Sequence, residues 1–204
     1  MLSAKAIVSL QDELTSAWHS MPSEAAGEAH SDWLARVARQ HRANFDLWHI
    51  EDEARTPGAT DASLAGVKRR IDVTNQLRND LAEELDRTLL AWLSPQQLPH
   101  PDAPLNSESP GLIIDRLSIL ALKIFHTREE EQRAGCPAEH AERNRRRLEI
   151  LEEQRGDLER CLDALWRETL AGTRRFKLYR QLKMYNDPSL NPAIYRKNAR
   201  QPAP

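Results

Sequence analysis

Apolar residues recur with the period of an α-helix through successive proline-free spans, and no span alternates in the manner of a strand. The twelve prolines fall between these spans, outside helix interiors. The first predicted helix runs roughly from Ser3 to His19, with Ile7, Leu10, Leu14 and Trp18 on one stripe. The second, roughly Ser31 to Arg55, can be capped by Ser31 or Asp32. Its seam of Leu34, Val37, His41, Asn44, Trp48, Glu51 and Arg55 turns polar halfway. The third, roughly Asp61 to Leu93, spaces Leu64, Val67, Ile71, Arg78, Leu81, Leu85 and Trp92 in heptad fashion. Such a helix is about 50 Å long at a rise of about 1.5 Å per residue. A proline-rich connection, Ser94 to Ser109, follows.

The next span is the most apolar. Ten of the fourteen residues from Leu112 to Phe125 are apolar, the exceptions being Asp115, Arg116, Ser118 and Lys123. Ser109 is a good N-cap and Pro110 suits the first helical position, where a missing N–H costs nothing. At 100° per residue one side collects Ile113, Ile114, Leu117, Leu120, Ile124 and Phe125. The other side mixes Leu112, Ile119 and Leu122 with Asp115, Arg116, Lys123 and His126. That pattern predicts a central helix, packed on both sides, with a polar wall. It is expected to fray through Thr127 to Glu131, and Gly135-Cys136-Pro137 is a break.

A fifth helix is expected from roughly Ala138 to Ala171, with Leu148, Leu151, Arg155, Leu158, Leu162, Leu165 and Thr169 on its seam and Gly172 as its stop. A basic helix, roughly Arg174 to Tyr185, ends at Asn186-Asp187-Pro188. The expectation is therefore an all-α protein: an antiparallel bundle of about five long helices, a short basic C-terminal helix and an extended arm. Residues 1–197 form one domain and 198–204 a disordered tail.

Composition refines this picture in three places. Charged residues make up 29% of the 204, which suits long amphipathic helices. No segment is apolar enough to span a membrane, the N-terminus lacks the pattern of a secretory signal, and Cys136 and Cys161 match no metal or CxxC spacing. These features point to the reducing cytoplasm. The net charge of −2 conceals a basic arm: Thr173 to Arg200 holds eight basic residues and one acid, Asp187, on an otherwise acidic chain. The arm interleaves bases with aromatics (Arg175-Phe176-Lys177, Tyr179-Arg180, Lys183-Met184-Tyr185). Docking of the arm onto the bundle ranks first, an anionic small molecule or sugar nucleotide second, and nucleic acid, which asks for a basic domain, last.

Chemistry is sought at seam positions that are wrong for a plain bundle. Arg78 lies between Ile71 and Leu85, and Arg155 between Leu151 and Leu158. A desolvated guanidinium needs an anion; Glu51, Asp72 and Asp115 are the candidates. The arginines either fix helix register or bind an anionic ligand. The third helix also carries Asp72, Asn75, Gln76, Asn79, Glu83 and Asp86 at steps of three or four. With Glu51 and Asp52 this is similar to the Mg²⁺-binding helices of all-α nucleotide pyrophosphohydrolases, although a solvated face is the simpler reading. No tight histidine pair is present, so no metal site is expected, and His126 reads as a core histidine. Trp18, Trp33, Trp48, Trp92 and Trp166 read as core anchors, and Gly66 and Gly156 as close-packing points.

Several strings together are distinctive. They are Asn44 to Arg55; Ile71-Asp72 with Asn75-Gln76 and Arg78-Asn79-Asp80; Leu105 to Gly111; Asp115 to Lys123; Gln154-Arg155 with Asp157-Leu158; and Arg175-Phe176-Lys177 with Tyr179, Lys183 to Pro188 and Leu190-Asn191-Pro192. The chain resembles, on these strings, a bacterial family catalogued as domain of unknown function 4254. The resemblance runs from about the second helix to Tyr195 and implies no reaction. Its association with envelope-sugar glycosyltransferases favours a glycan-pathway role.

The distinctive positions are mostly the polar seam residues. They define one expected polar centre: Asn44, Trp48, Glu51, Asp72, Asn75, Arg78 and Asn79, with Asp115, Arg116, Lys123, Arg155, Lys177, Tyr179 and Lys183. The functional expectation is a binding or adaptor protein for a phosphorylated or nucleotide-sugar-like ligand, without a cofactor and able to dimerise through its long helices. One alternative is a Mg²⁺-dependent enzyme with Glu51 or Asp115 as base; the other is a structural bundle with buried ion pairs.

Overall fold

The computed structural model describes residues 2–20, 31–182 and 189–192. Five α-helices are present among them: α1 Ala4–Ser20, α2 Asp32–Glu53, α3 Asp61–Leu93, α4 Pro110–Gln132 and α5 Ala138–Leu170. Their starts follow from cap chemistry. Ser31, Thr60 and Ser109 each accept a hydrogen bond from the backbone N–H three residues on, at Leu34, Ser63 and Leu112. Pro110 occupies the first turn of α4. Gly172 takes a left-handed conformation (φ 72°) one residue past the Ala171 C-cap of α5.

Helix α4 is the centre of the bundle: it packs against α1, α2, α3 and α5. Its expected apolar face is buried at Ile113, Ile114, Leu117, Leu120 and Ile124, and the opposite side buries Asp115, Ser118 and Leu122. Ion pairs and hydrogen bonds set the directions. Arg70 meets Glu53, Arg78 meets Asp115, and Arg128 meets Glu152, so α2–α3, α3–α4 and α4–α5 are antiparallel. Helix α1 departs from this alternation. Thr15 meets His41 and His19 lies against His49, which makes α1 parallel to α2; His19 against Phe125 makes it parallel to α4 as well.

The apolar stripes of α1 and α5 hold as expected: Ile7, Leu10, Leu14 and Trp18, and Leu148, Leu158, Leu162 and Leu165, are all buried. The register of α3 drifts from the heptad. Leu81, Leu85, Leu89 and Leu93 face the core, whereas Trp92 and Leu64 are exposed, because a straight helix of 3.6 residues per turn slips past a seven-residue repeat. Val73 and Leu77 also remain exposed. Trp18, Trp33 and Trp166 are core anchors; Trp48 is only half-buried.

The basic C-terminal helix is not formed over 174–182. After Gly172 the chain runs extended. Arg175 accepts a hydrogen bond from the Asn106 N–H and donates its own N–H to the Pro104 carbonyl, a parallel bridge with the proline-rich connection. Phe176 is buried between half-buried Arg175 and exposed Lys177. Extension wins because it pairs backbone groups across the bundle and seats one aromatic ring in the core, which local helix propensity cannot match. Farther along, the Gln181 N–H bonds the Glu83 carboxylate, so the basic segment docks onto the body as a strap over α3. Lys183 to Tyr185, which the expected helix also included, and the predicted tail at 198–204 lie outside the described residues.

The close-packing glycine is neither Gly66, beside which a Cβ meets nothing, nor Gly156, whose nearest neighbour is its own helix's Arg160. It is Gly111, in the first turn of α4, where α3 approaches. A Cβ there would overlap the Ala82 carbonyl oxygen and lie 2.9 Å from the Asp86 carboxylate. Gly111→Ala is therefore expected to destabilise the fold by about 1–3 kcal/mol or more, an overpacking effect readable by urea denaturation. Gly66→Ala, with open space around it, should instead raise stability slightly.

Candidate functional site

Helix α4 buries a carboxylate, and the neighbouring helices are built to receive it. Asp115 is 7% exposed. Its Oδ1 accepts from Gln40 Nε2 at 2.6 Å, Asn44 Nδ2 at 2.9 Å and Arg78 Nε at 2.8 Å; Oδ2 accepts from Arg78 Nη2. Gln40 and Asn44 are one turn apart on α2, and Arg78 comes from α3. The carboxylate holds the Arg78 guanidinium above its ordinary pKa, chiefly through these hydrogen bonds.

A neutral relay continues from this pair. Asn44 Nδ2 also donates to Ser118 Oγ at 2.9 Å, Ser118 Oγ lies 2.7 Å from His41 Nδ1, and His41 Nε2 lies 2.9 Å from Thr15 Oγ1. Thr15 gives its hydroxyl proton to the Gln11 carbonyl one turn back. Its oxygen must then accept from His41, which fixes His41 as the Nε2–H tautomer with Nδ1 accepting from Ser118. Burial pushes His41 down to about 3 from an ordinary 6.5, so the ring is neutral.

A cleft of about 320 Å³ opens on the outer side of the Asp115–Arg78 pair, between α2, α3 and α4. Asn44, Leu47, Trp48, Glu51, Asp52, Arg55, Arg78, Ile119 and Leu122 line it. Arg55 pairs with Glu51 at 3.3 Å across one turn of α2. Charge in the cleft is thus balanced, with an apolar wall on one side.

The structure divides the expected polar centre. Asn44, Trp48, Glu51 and Arg78 share the cleft, with Asp115 directly behind Arg78. Arg116 and Lys123 face a second hollow, of about 310 Å³, between α4 and α5 with Gln154 and Asp157; Ile119 borders both. Arg116 is clamped by Glu108 at 2.8 and 2.9 Å. Arg155 pairs with Asp12 of α1 at 2.9 and 3.1 Å, away from Asp115. Burial raises the Asp12 carboxyl, with Arg155 pulling the other way. Asp72 pairs with Lys68 on the same helix, and Asn75 and Asn79 are half-buried outside the cleft. Lys177 and Tyr179 are exposed on the strap, and Lys183 falls outside the described residues.

The acidic steps on α3 have structural employment. Asp86 is 3% exposed and accepts from the Gly111 N–H at 2.7 Å, closing the start of α4. Burial pushes Asp86 up to about 6, opposed by its bonds to Ser109 and Gly111. Glu83 holds the strap.

Sequence reasoning missed one cluster. His19 of α1, His49 of α2 and His126 of α4 each offer a ring nitrogen, all within 4.8 Å of one another. No spacing within one helix signals it. The usable signal was that each histidine lies toward the C-terminal end of its predicted helix, which matters only once α1, α2 and α4 are known to run parallel.

Two consequences can be measured. Asp115→Ala strips the half-buried Arg78 guanidinium, and the buried Gln40 and Asn44 amides, of their partner and should cost about 3–5 kcal/mol of stability; in the Arg78→Met background the same change should cost far less. Below pH 6.5 the unfolded chain protonates His41, whereas the folded protein refuses that proton until about 3, so stability falls as pH drops through this window. Asp86 acts oppositely, its folded pKa of about 6 exceeding the ordinary 3.8, so it costs stability as pH rises between them. His41→Gln should flatten the acid loss and Asp86→Asn should steepen it, in denaturation at pH 4.5 and 7.

No helix among the described residues is long and apolar enough to cross a membrane. No curated protein and no solved structure matches the chain. A family does: the one described as "Protein of unknown function (DUF4254)" matches residues 34–178, which takes in all but the first two residues of α2, then α3, α4, α5 and the start of the strap. The match spans well over half of the chain and includes the Asp115–Arg78 pair and every residue lining the cleft beside it, and the protein belongs to the DUF4254 family.

Proposed function

We propose that the protein is a binding protein whose cleft between α2, α3 and α4 takes a small ligand with an anionic, phosphorylated part and an apolar or planar part. The observation that carries this reading is Arg78. Its guanidinium is oriented from behind by Asp115, yet its side chain keeps 24% exposure and lines the cleft. An arginine that only balanced a buried carboxylate would gain nothing from an open face; one that also receives an anion needs it. Arg55 brings a second cation to the cleft, and Trp48, Leu47, Ile119 and Leu122 offer a surface for a ring. A nucleotide-sugar or sugar phosphate has this division of character. The balancing acids Glu51 and Asp52 suit sugar hydroxyls, which a purely cationic pocket would leave unmatched.

The test is a thermal-shift panel of nucleoside diphosphates, nucleotide-sugars and sugar phosphates. A ligand present at about 100 times its Kd adds about 2.7 kcal/mol of stability. Arg55→Met, which leaves the buried network intact, is expected to weaken that ligand at least tenfold while changing stability by less than about 0.5 kcal/mol. Equal binding by Arg55→Met and Trp48→Ala, or no response to any phosphorylated compound, would remove this reading.

A further inference from the structure

We propose that His19, His49 and His126 form a three-histidine site for a divalent transition-metal ion of the zinc type, with its fourth coordination position left for an exogenous ligand. The site is independent of the cleft reading.

The argument starts from where each ring sends its Nδ1. His19 Nδ1 lies 2.7 Å from the Thr15 carbonyl, and His49 Nδ1 lies 2.8 Å from the Phe45 carbonyl, each one turn back on its own helix. His126 Nδ1 lies 2.9 Å from the Glu129 carboxylate. A carbonyl or carboxylate oxygen only accepts, so each Nδ1 carries the proton. In its neutral form each ring then presents a lone pair at Nε2, and the cluster brings one ring nitrogen from each of the three residues within 4.8 Å of one another. Nε2 of both His19 and His126 is buried and meets no hydrogen-bond partner among the described residues.

The converging nitrogens leave two buried acceptors, Nε2 of His19 and of His126, unsatisfied, at a cost of about 1–3 kcal/mol each. A proton shared between those two rings would leave His49 outside the arrangement. A metal ion engages all three rings. Tetrahedral coordination at about 2.0–2.1 Å sets ligand nitrogens about 3.4 Å apart, so closing the cluster asks for about 1.5 Å of ring movement at most. The outward Nδ1–H bonds are the outer-shell contacts that fix tautomer and ring orientation in histidine metal sites.

The surroundings agree. Phe125 stacks on His19 at 4.2 Å, Phe45 packs against His49 at 4.3 Å, and Trp48 stacks on His126 at 4.9 Å. These rings cover faces of the imidazoles and hold them at fixed angles. Imidazole donors select zinc, copper, nickel or cobalt over Mg²⁺ and Ca²⁺. The group holds three protein ligands among the described residues, the number that leaves a catalytic-type zinc one open position.

The experiment adds Co²⁺ alone to the metal-stripped full chain and follows visible absorption, then displaces it with Zn²⁺. One equivalent of Co²⁺ with the intense bands of a low-coordinate ion is expected. His49→Ala and His126→Ala should each weaken binding at least a hundredfold, and His100→Ala, on the exposed connection, should leave it unchanged. Circular dichroism checks that the variants fold. A second readout needs no variant: in ¹⁵N-imidazole spectra of the native chain, Zn²⁺ should shift Nε2 of these three residues. A Co²⁺ spectrum that stays that of the hydrated ion, tight binding that survives both substitutions, or Zn²⁺ responses at other histidines would each overturn the site.

Discussion

A carboxylate on a helix with neighbours on every side must be given donors, and the bundle is arranged around that demand. Asp115 cannot reach water freely from α4, and an ion left unpaired there would cost several kcal/mol. Apolar contacts could hold α2, α3 and α4 together in many rotations and offsets, because they carry little direction. Four hydrogen bonds to one carboxylate cannot. Gln40 and Asn44 fix the rotation and height of α2, and Arg78 fixes those of α3, against the same two oxygen atoms. Asp86, which closes the start of α4 from α3, adds a second fixed point along the same pair of helices. Register is thus set by polar atoms and strength by the leucines around them.

The same strip of α4 then changes character in steps. Asp115, Ser118, Leu122 and His126 follow one another at three or four residues and so lie along one side. At the first level the charge is balanced by a guanidinium. At the second, Ser118, His41 and Thr15 pass hydrogen bonds across to α1 without any net charge. At the third, the imidazoles of His19, His49 and His126 meet, each with Nδ1 against an oxygen of its own helix. Gln11, Thr15 and His19 match these levels on α1, as Gln40, Asn44 and His49 do on α2, because the three helices run parallel. The histidine end of the strip lies about three turns along α4 from the Asp115–Arg78 pair.

Much of this was legible in the sequence, for identifiable reasons. Prolines and cap residues mark helix ends by local chemistry, so the five helices follow from the chain alone. The apolar excess of Leu112 to Phe125 already required a helix packed on both sides, and its charges already required partners. Arg78 with Asp115 was among the pairings that rule allowed; Arg155 with Asp12 was not, since Asp12 sits on an ordinary-looking polar face of α1. The strap was misread because only Phe176 and Leu178 carry its alternation, too short a run to outweigh helix-favouring neighbours, and its pairing partner at 104–106 lies some seventy residues away. The histidine cluster was illegible for a related reason: its members stand at 19, 49 and 126, and their meeting depends on α1 running parallel to α2, which no local rule specifies.

Trp48 belongs to both halves of this arrangement. One face of its indole lies against His126, 4.9 Å away and only 10° from parallel, and the same side chain lines the cleft beside Arg78. It is half-buried, so neither neighbour holds it completely. A side chain in that position cannot be moved by one neighbour without being felt by the other. Any ligand that presses on Trp48 from the cleft acts on the ring that sets the angle of His126, and any change in His126 acts on the apolar wall of the cleft. For one ligand in the cleft and another at the histidines, linkage would make the two effects equal in free energy. The indole is therefore the place where the anchored, charge-balanced end of the polar strip and its histidine end are mechanically joined.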